Sequence, residues 1–221
     1  MTRYLMRIWL EDRPGALGAV ASRIGSVRGD LVGIEILERG GGRAVDEIVV
    51  EIPDPELLQL LVREVHEVDG VEVESVRELV TPRDVRLDPL EISLRVLACE
   101  SPEAVAAVLS EQMREMFEFS FAAVVDADNE AIIAARGAAP DPAWLAAFAR
   151  GGALLNGSAA VGGADEEMVV FGLGYRNWSF VAARHELAYR ALERSQAFML
   201  CSIAGRYCRV LSDLSPSRPR P

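Results

Sequence analysis

Between Tyr4 and Leu10 bulky residues alternate along the chain, and Asp12-Arg13-Pro14-Gly15 then breaks the alternation with a turn. Leu17, Val20, Ala21 and Ile24 follow at helical spacing, and Gly29-Asp30 closes that helix. From Leu31 to Leu37 the alternation returns, with Leu31, Gly33 and Glu35 set against Val32, Ile34 and Ile36, the signature of a half-buried strand. Arg39-Gly40-Gly41-Gly42-Arg43 predicts a hairpin loop, because glycine reaches the positive φ such a turn needs. A further strand is predicted over Ala44 to Ile52. Pro53-Asp54-Pro55 ends it and starts a helix, Glu56 to Val68, with Leu57, Leu61, Val65 and Val68 on one face. Asp69-Gly70 turns the chain into a last strand, Val71 to Leu79.

The resulting order, βαββαβ, is the ferredoxin-like split βαβ arrangement and defines an α+β domain over residues 1–80. Thr81 to Pro89 carries two prolines and four charges around scattered apolar residues, which makes 81–89 the expected linker. A second domain is expected over 90–210. It begins with a strand, Leu90 to Ala98. Ser101-Pro102-Glu103 starts a helix that runs to about Phe117. Phe119 to Asp126 and Ala131 to Ala135 form a hairpin around Asp128-Asn129, and Pro140-Asp141-Pro142 launches a short helix, Trp144 to Ala149. Gly151 to Gly163, rich in Gly, Ala and Ser, is expected to be a mobile loop. A second hairpin joins Met168–Gly174 to Ser179–Ala183, a long helix is expected over His185 to Arg209, and 211–221 is expected to be a disordered tail.

Composition narrows the chemistry. Half of the 221 residues are hydrophobic, yet no apolar run approaches the ~20 residues of a membrane helix. Arg7 and then Glu11-Asp12-Arg13 interrupt any signal-peptide core, so a soluble cytoplasmic protein with no membrane partner is expected. All 23 basic residues are arginine, which removes the lysine that Schiff-base enzymes and P-loop nucleotidases require. A net charge of -11, negative in both halves, argues against a nucleic-acid partner. Cys99, Cys201 and Cys208 form no CxxC pair, and only His66 and His185 are available as imidazole ligands. Neither a disulfide framework, a metal site nor a cofactor is expected.

The loop Asp12-Arg13-Pro14-Gly15-Ala16-Leu17 after the first strand, followed by Gly33-Ile34-Glu35-Ile36 in the second, resembles an ACT domain over residues 4–79. That resemblance implies a regulatory module binding a small molecule, typically an amino acid, at an interface between two copies. The implied contacts are Asp12, Arg13, Pro14, Gly15, Ala16 and Leu17 of one copy with Val32, Gly33 and Ile34 of the other. The residues themselves suit such a ligand. Pro14 fixes the turn, and Gly15 allows a close approach where a Cβ would clash. The first helical amides, at Ala16, Leu17 and Gly18, can receive a carboxylate while Asp12 holds an ammonium group. The competing reading of the same residues is that Asp12 caps the helix and Gly15 only makes the turn.

Residues 90–210 resemble, more loosely, a GAF domain: a helix, a hairpin, the proline-led helix at Asp141-Pro142-Ala143-Trp144, another hairpin and a long final helix. The resemblance implies a sensory module with an antiparallel sheet and flanking helices. No cyclic-nucleotide signature or chromophore-attaching cysteine accompanies it.

The remaining candidates read as structural. Arg184-His185-Glu186 is the nearest approach to a catalytic cluster, but successive residues share no helix face. His66 has nothing to orient it as a base, Gly172-Leu173-Gly174 precedes a hairpin rather than a helix, and Asp165-Glu166-Glu167 reads as a solvated loop. The final helix is apolar around much of its circumference, as a helix contacting both its own sheet and another subunit would be. The expectation is a non-catalytic, homodimeric sensor of an amino acid or similar metabolite, passing its signal to a partner protein. The alternative is a ligand-free dimeric scaffold for a partner enzyme. An enzyme built on Arg184, His185 and the acidic loop ranks third.

Overall fold

A computed structural model describes residues 1–79, 87–154, 158–162, 166–185 and 187–214, without the side chains of 153–167. The chain divides into two compact units, Met1–Arg86 with Arg190–Leu192, and Leu87–Tyr189 with Glu193–Pro221. Among the described residues no helix is long and apolar enough to cross a membrane. The protein is α+β.

In the first unit β1 (Thr2–Glu11), α1 (Ala16–Ser26), β2 (Asp30–Gly40), β3 (Arg43–Ile52), α2 (Leu58–His66) and β4 (Glu72–Glu78) follow in the predicted order. A 3₁₀ turn, Pro55–Leu57, takes the place of the first predicted turn of the second helix. There the Asp54 side chain accepts the Glu56 amide and proline occupies the first helical position. The sheet is antiparallel throughout, in the order β2-β3-β1-β4. Strand parity builds the core: Met6 and Ile8 from β1 and Ile48 and Ile52 from β3 are fully buried with Val20 and Ile24 of α1 and Leu61 and Val65 of α2. Residues of the opposite parity make an ionic ladder. Arg3 pairs with Glu51 at 2.8 Å, and the buried Arg7 with Glu47 at 2.9 Å. The Trp9 indole donates to Glu74 at 3.2 Å.

The second unit holds α3 (Asp88–Leu97), α4 (Pro102–Met116), β5 (Phe121–Asp126), β6 (Ala131–Gly137), α5 (Pro142–Leu154), β7 (Ser158–Gly162), β8 (Glu166–Gly172), β9 (Trp178–His185) and α6 (Ala191–Leu214). Its antiparallel sheet runs β6-β5-β9-β8-β7. One face packs with α3, α4 and α6 around Ile92, Leu109, Met113, Phe171, Phe180 and Cys201. The other packs under α5, where Leu145, Ala146 and Ala149 meet Phe121, Val125, Val170 and Val181. Covered on both sides, β5 and β9 read as nearly continuous apolar runs. Gly205 lets α6 press onto the sheet: a Cβ there would stand 1.7 Å from the Leu173 carbonyl oxygen.

Five expectations need correction. Leu90–Ala98 is helical, not a strand. Proline at the start of α3 and acidic residues in its first turn begin a helix, and Asp88, Ile92 and Val96, each four apart, are its buried positions. Asp88 and Pro89, expected in the linker, therefore belong to α3, while 80–86 lie outside the described residues. The segment 151–163 is not a loop throughout: α5 continues to Leu154, and Ser158–Gly162 pairs with Phe171–Glu167 as β7. The last helix begins at Ala191, because β9 extends through His185 to pair with Glu166. It runs to Leu214, so 211–214 are helical and only 215–221 of the expected tail fall outside the described residues.

Candidate functional site

The site forms at one end of the first unit, where β1 gives way to α1. The Asp12 amide donates to the Gly42 carbonyl at 2.9 Å, which ties the loop to the β2–β3 hairpin. Gly15 then sits at φ 88° as the residue before α1, a conformation that favours glycine. The reason for glycine at this position differs from the one its sequence context suggests: nothing lies within 4 Å of where a Cβ would stand, so the backbone angle, not crowding, demands it.

No side chain caps α1. The Ala16 amide donates to the Arg13 carbonyl at 3.2 Å, so it is not one of the open donors the sequence suggested. The Leu17 and Gly18 amides have no acceptor among the described residues. They carry the positive end of an 11-residue helix. Asp12 is not a cap. Its carboxylate stands 3.9 Å from the Arg39 guanidinium, with both groups well exposed. Arg13 turns the other way, pairing with Glu11 at 2.6 Å. There it lines an open groove of about 580 Å³ with Gly42, Arg43, Gly70, Val71 and Glu72. Arg43 in that groove lies over the Trp9 ring at 5.0 Å and 3.8 Å from Glu72.

Sequence reasoning missed Asp46. It shares strand parity with Ala44 and Ile48, pairs with Ile8 on one side and Ile36 on the other, and is buried. Its Oδ1 has no hydrogen-bond partner. Burial pushes the carboxyl above its ordinary range; Arg39 draws it down and Asp12 drives it further up. The available signal was an acid at an inward-facing position of a strand whose neighbours of the same parity are apolar.

Val32, Gly33 and Ile34 lie on β2, the edge of the sheet. Val32, Ile34 and Ile36 are between 38 and 41 % exposed, an apolar row on a strand paired on one side only, with β3. Within one copy these residues and the Asp12–Leu17 loop are not brought together. The loop meets β2 at Arg39, five residues beyond Ile34, roughly 17 Å along an extended strand.

The other candidates take structural places. Arg184 is buried and donates to the carbonyls of Phe117, Leu187 and Ala188 as well as to Glu193. His185 ends β9 on the surface, and Glu186 lies outside the described residues. His66 is the exposed last residue of α2. Burial raises all three thiols, Cys208 to about 11, and the two buried ones, Cys201 and Cys208, stay protonated and shielded near neutral pH. Gly172-Leu173-Gly174 leads into a hairpin, with the Leu173 amide donating to the Trp178 carbonyl. Asp165 and the side chains of Glu166 and Glu167 lie outside the described residues. Among the described residues no three His, Cys, Asp or Glu side chains are grouped to hold a metal.

No family model matches the chain, and no curated protein matches it. Solved structures do. The ACT domain from GTP pyrophosphokinase of Chlorobium tepidum aligns with 36% of this chain and 100% of its own at 19% identity, with a TM-score of 0.29. An ACT domain protein from Streptococcus pneumoniae aligns with 35% and 89% at 12% identity and a TM-score of 0.30. The GAF domain from Acinetobacter phosphoenolpyruvate-protein phosphotransferase covers 62% of this chain and 99% of its own, at 10% identity and a TM-score of 0.47. ACT domains and a GAF domain are thus among the chain's structural neighbours.

Proposed function

We propose that the chain is a non-catalytic sensor that binds an amino acid or similar metabolite between two copies of its first unit and acts in the cytoplasm. The observation that carries this reading is the open start of α1. The Leu17 and Gly18 amides are without acceptors among the described residues at the positive end of a helix, and the exposed Asp12 carboxylate precedes them by a few residues. An α-amino acid presents a carboxylate and an ammonium one carbon apart, and this pair of groups complements both. The exposed edge of β2 supports the pairing. Val32, Gly33 and Ile34 of a second copy, running antiparallel alongside β2, would come within a few residues of Arg39 and hence of Asp12.

The test is a thermal-melt panel of the twenty amino acids on the full chain, read from the fluorescence of Trp9, Trp144 and Trp178. At 100 times its dissociation constant a ligand stabilises the native state by about 2.7 kcal/mol, a shift of several degrees for a chain of this size. A shift with one or a few amino acids, lost in Asp12→Ala, is the expected result. A flat panel overturns the sensor and leaves the ligand-free scaffold.

A further inference from the structure

Helix α3 carries apolar residues on two opposite sides. Ile92 and Val96 are fully buried in the core of the second unit. On the far side Leu87, Leu90, Leu94 and Leu97 are between 49 and 69 % exposed. Three half-exposed leucines on a helix of 10 residues, with a fourth on the residue before it, are more than the scattered surface leucine that needs no explanation. Their spacing is three, four, three, the interval at which one helix seats its side chains into the gaps of another.

We infer that α3 is a contact between two copies of this chain, the leucine row of one packing antiparallel against the same row of the other. A three-four-three spacing reads identically from either end. A two-fold axis level with Ile92 therefore sets Leu87 opposite Leu97 of the second copy and Leu90 opposite its Leu94, a surface complementary to itself. The flanking charges agree. Glu91 and Arg95 are exposed on one side of the row, and neither has an ion-pair partner among the described residues. Reversal of the second helix carries its Arg95 alongside Glu91 and its Glu91 alongside Arg95.

Area decides how much more of the surface takes part. A stable dimer covers about 800 Å² on each partner, more than one face of a three-turn helix offers. The surface continues onto α6. The Tyr207 hydroxyl donates to the Cys99 carbonyl at 3.0 Å, just past the end of α3. Ile203 and Val210, a turn to either side of Tyr207, are exposed there as well. This contact lies wholly in the second unit and is independent of the ligand reading, which pairs copies through β2.

The experiment uses the full chain in two forms. First, light scattering after size exclusion measures mass for the wild type, for Leu90→Glu/Leu94→Glu and for the β2-edge variant Ile34→Lys. Second, Leu90→Cys and Leu94→Cys, each carrying Cys99→Ser, are mixed, allowed to re-equilibrate and oxidised with copper phenanthroline, which joins two thiols as a disulfide. The expected results are a wild type of twice the 24.0 kDa chain mass, a loss of self-association in Leu90→Glu/Leu94→Glu, and a mixed 90–94 disulfide exceeding the 90–90 and 94–94 products. Both leucines are exposed, so an unchanged far-ultraviolet spectrum excludes unfolding as the cause. A monomeric wild type overturns the inference, including one that floats with phosphatidylcholine vesicles, which would assign the row to a lipid surface. So does a dimer that persists in Leu90→Glu/Leu94→Glu without the mixed disulfide. A dimer lost only in Ile34→Lys overturns it while leaving the ligand reading standing; a dimer lost in the leucine variant and kept in Ile34→Lys supports it, and the ligand reading then stands or falls on the amino-acid panel alone.

Discussion

The Arg184 guanidinium meets the Glu193 carboxylate through two hydrogen bonds, at 2.8 and 3.0 Å, inside the second unit. Both side chains are buried, and the remaining guanidinium protons go to the carbonyls of Phe117, Leu187 and Ala188. A charge at this depth is tolerated because every donor is used. The arginine thereby ties the end of α4 and the approach to α6 onto β9. Arg184→Met removes the cation and leaves a buried carboxylate and three carbonyls without it, so a loss of about 3–5 kcal/mol is expected in urea unfolding. Glu193→Gln keeps the carbonyl contacts and should cost clearly less. Equal losses in the two variants would refute this account of the pair.

The thiols offer a second check. Cys201 and Cys208 are buried on α6, and burial raises both. Cys99 is partly exposed after α3. Ellman's reagent at pH 8 should therefore titrate one thiol in the folded chain and three in guanidinium, with the fast reaction removed by Cys99→Ser. Two fast thiols in the folded state would contradict the packing of α6.

How much of this fold could be read from the sequence depended on whether an element had one apolar face or two. In the first unit each strand and helix buries one side, so parity and helical spacing placed all six main elements, and both hairpins of the second unit were also legible. Leu90, Ile92, Leu94 and Val96 alternate like a strand only because α3 is apolar on both sides. Gly151-Gly152 looks like loop composition, yet Gly152 is helical and faces the sheet, where a Cβ would stand 2.1 Å from the Val170 side chain. Ser158–Gly162 has almost no side-chain signal as a strand; it is defined by backbone pairing to β8, a contact that no local pattern records.

The candidate site was legible in its turn chemistry and not in its electrostatics. Asp12-Arg13-Pro14-Gly15 announced a turn into a helix, and the loop is there. Which amides stay open depends on the exact course of the loop, which uses the Ala16 amide and spares those of Leu17 and Gly18. That Asp12 faces Arg39 rather than the helix depends on a hairpin 27 residues away in sequence.

Gly15→Ala follows from the backbone angle. With φ at 88° and open space around the position, the added methyl meets no neighbour but holds the residue in the left-handed region. A loss of about 1 kcal/mol is expected, with Gly15→Asn losing less because asparagine tolerates that region better. Thermal melts of the two variants without ligand measure it. If alanine costs nothing, the loop relaxes to another conformation and the placing of the open amides fails with it.

Asp46→Asn tests the buried carboxyl directly. Burial raises its pKa in the folded state above the ordinary value of 3.8. The folded chain therefore holds the proton more tightly than the unfolded chain does. The sign follows: whatever stability the protonated acid brings is fully present below pH 3.8 and is lost as the pH rises through the raised folded value. Above that raised value the wild type carries an ionised, buried oxygen with no hydrogen-bond partner, whereas asparagine is neutral at every pH. Asp46→Asn should thus be more stable than wild type at pH 7, by on the order of 1 kcal/mol, the lower end of what a buried polar group without a partner costs. At pH 3, where the aspartic acid is itself neutral, the variant should show no such advantage. Urea unfolding of both proteins at the two pH values measures this. A variant less stable than wild type at pH 7 would mean that the carboxylate has a partner there, and Arg39, the cation it senses, is the residue to replace next.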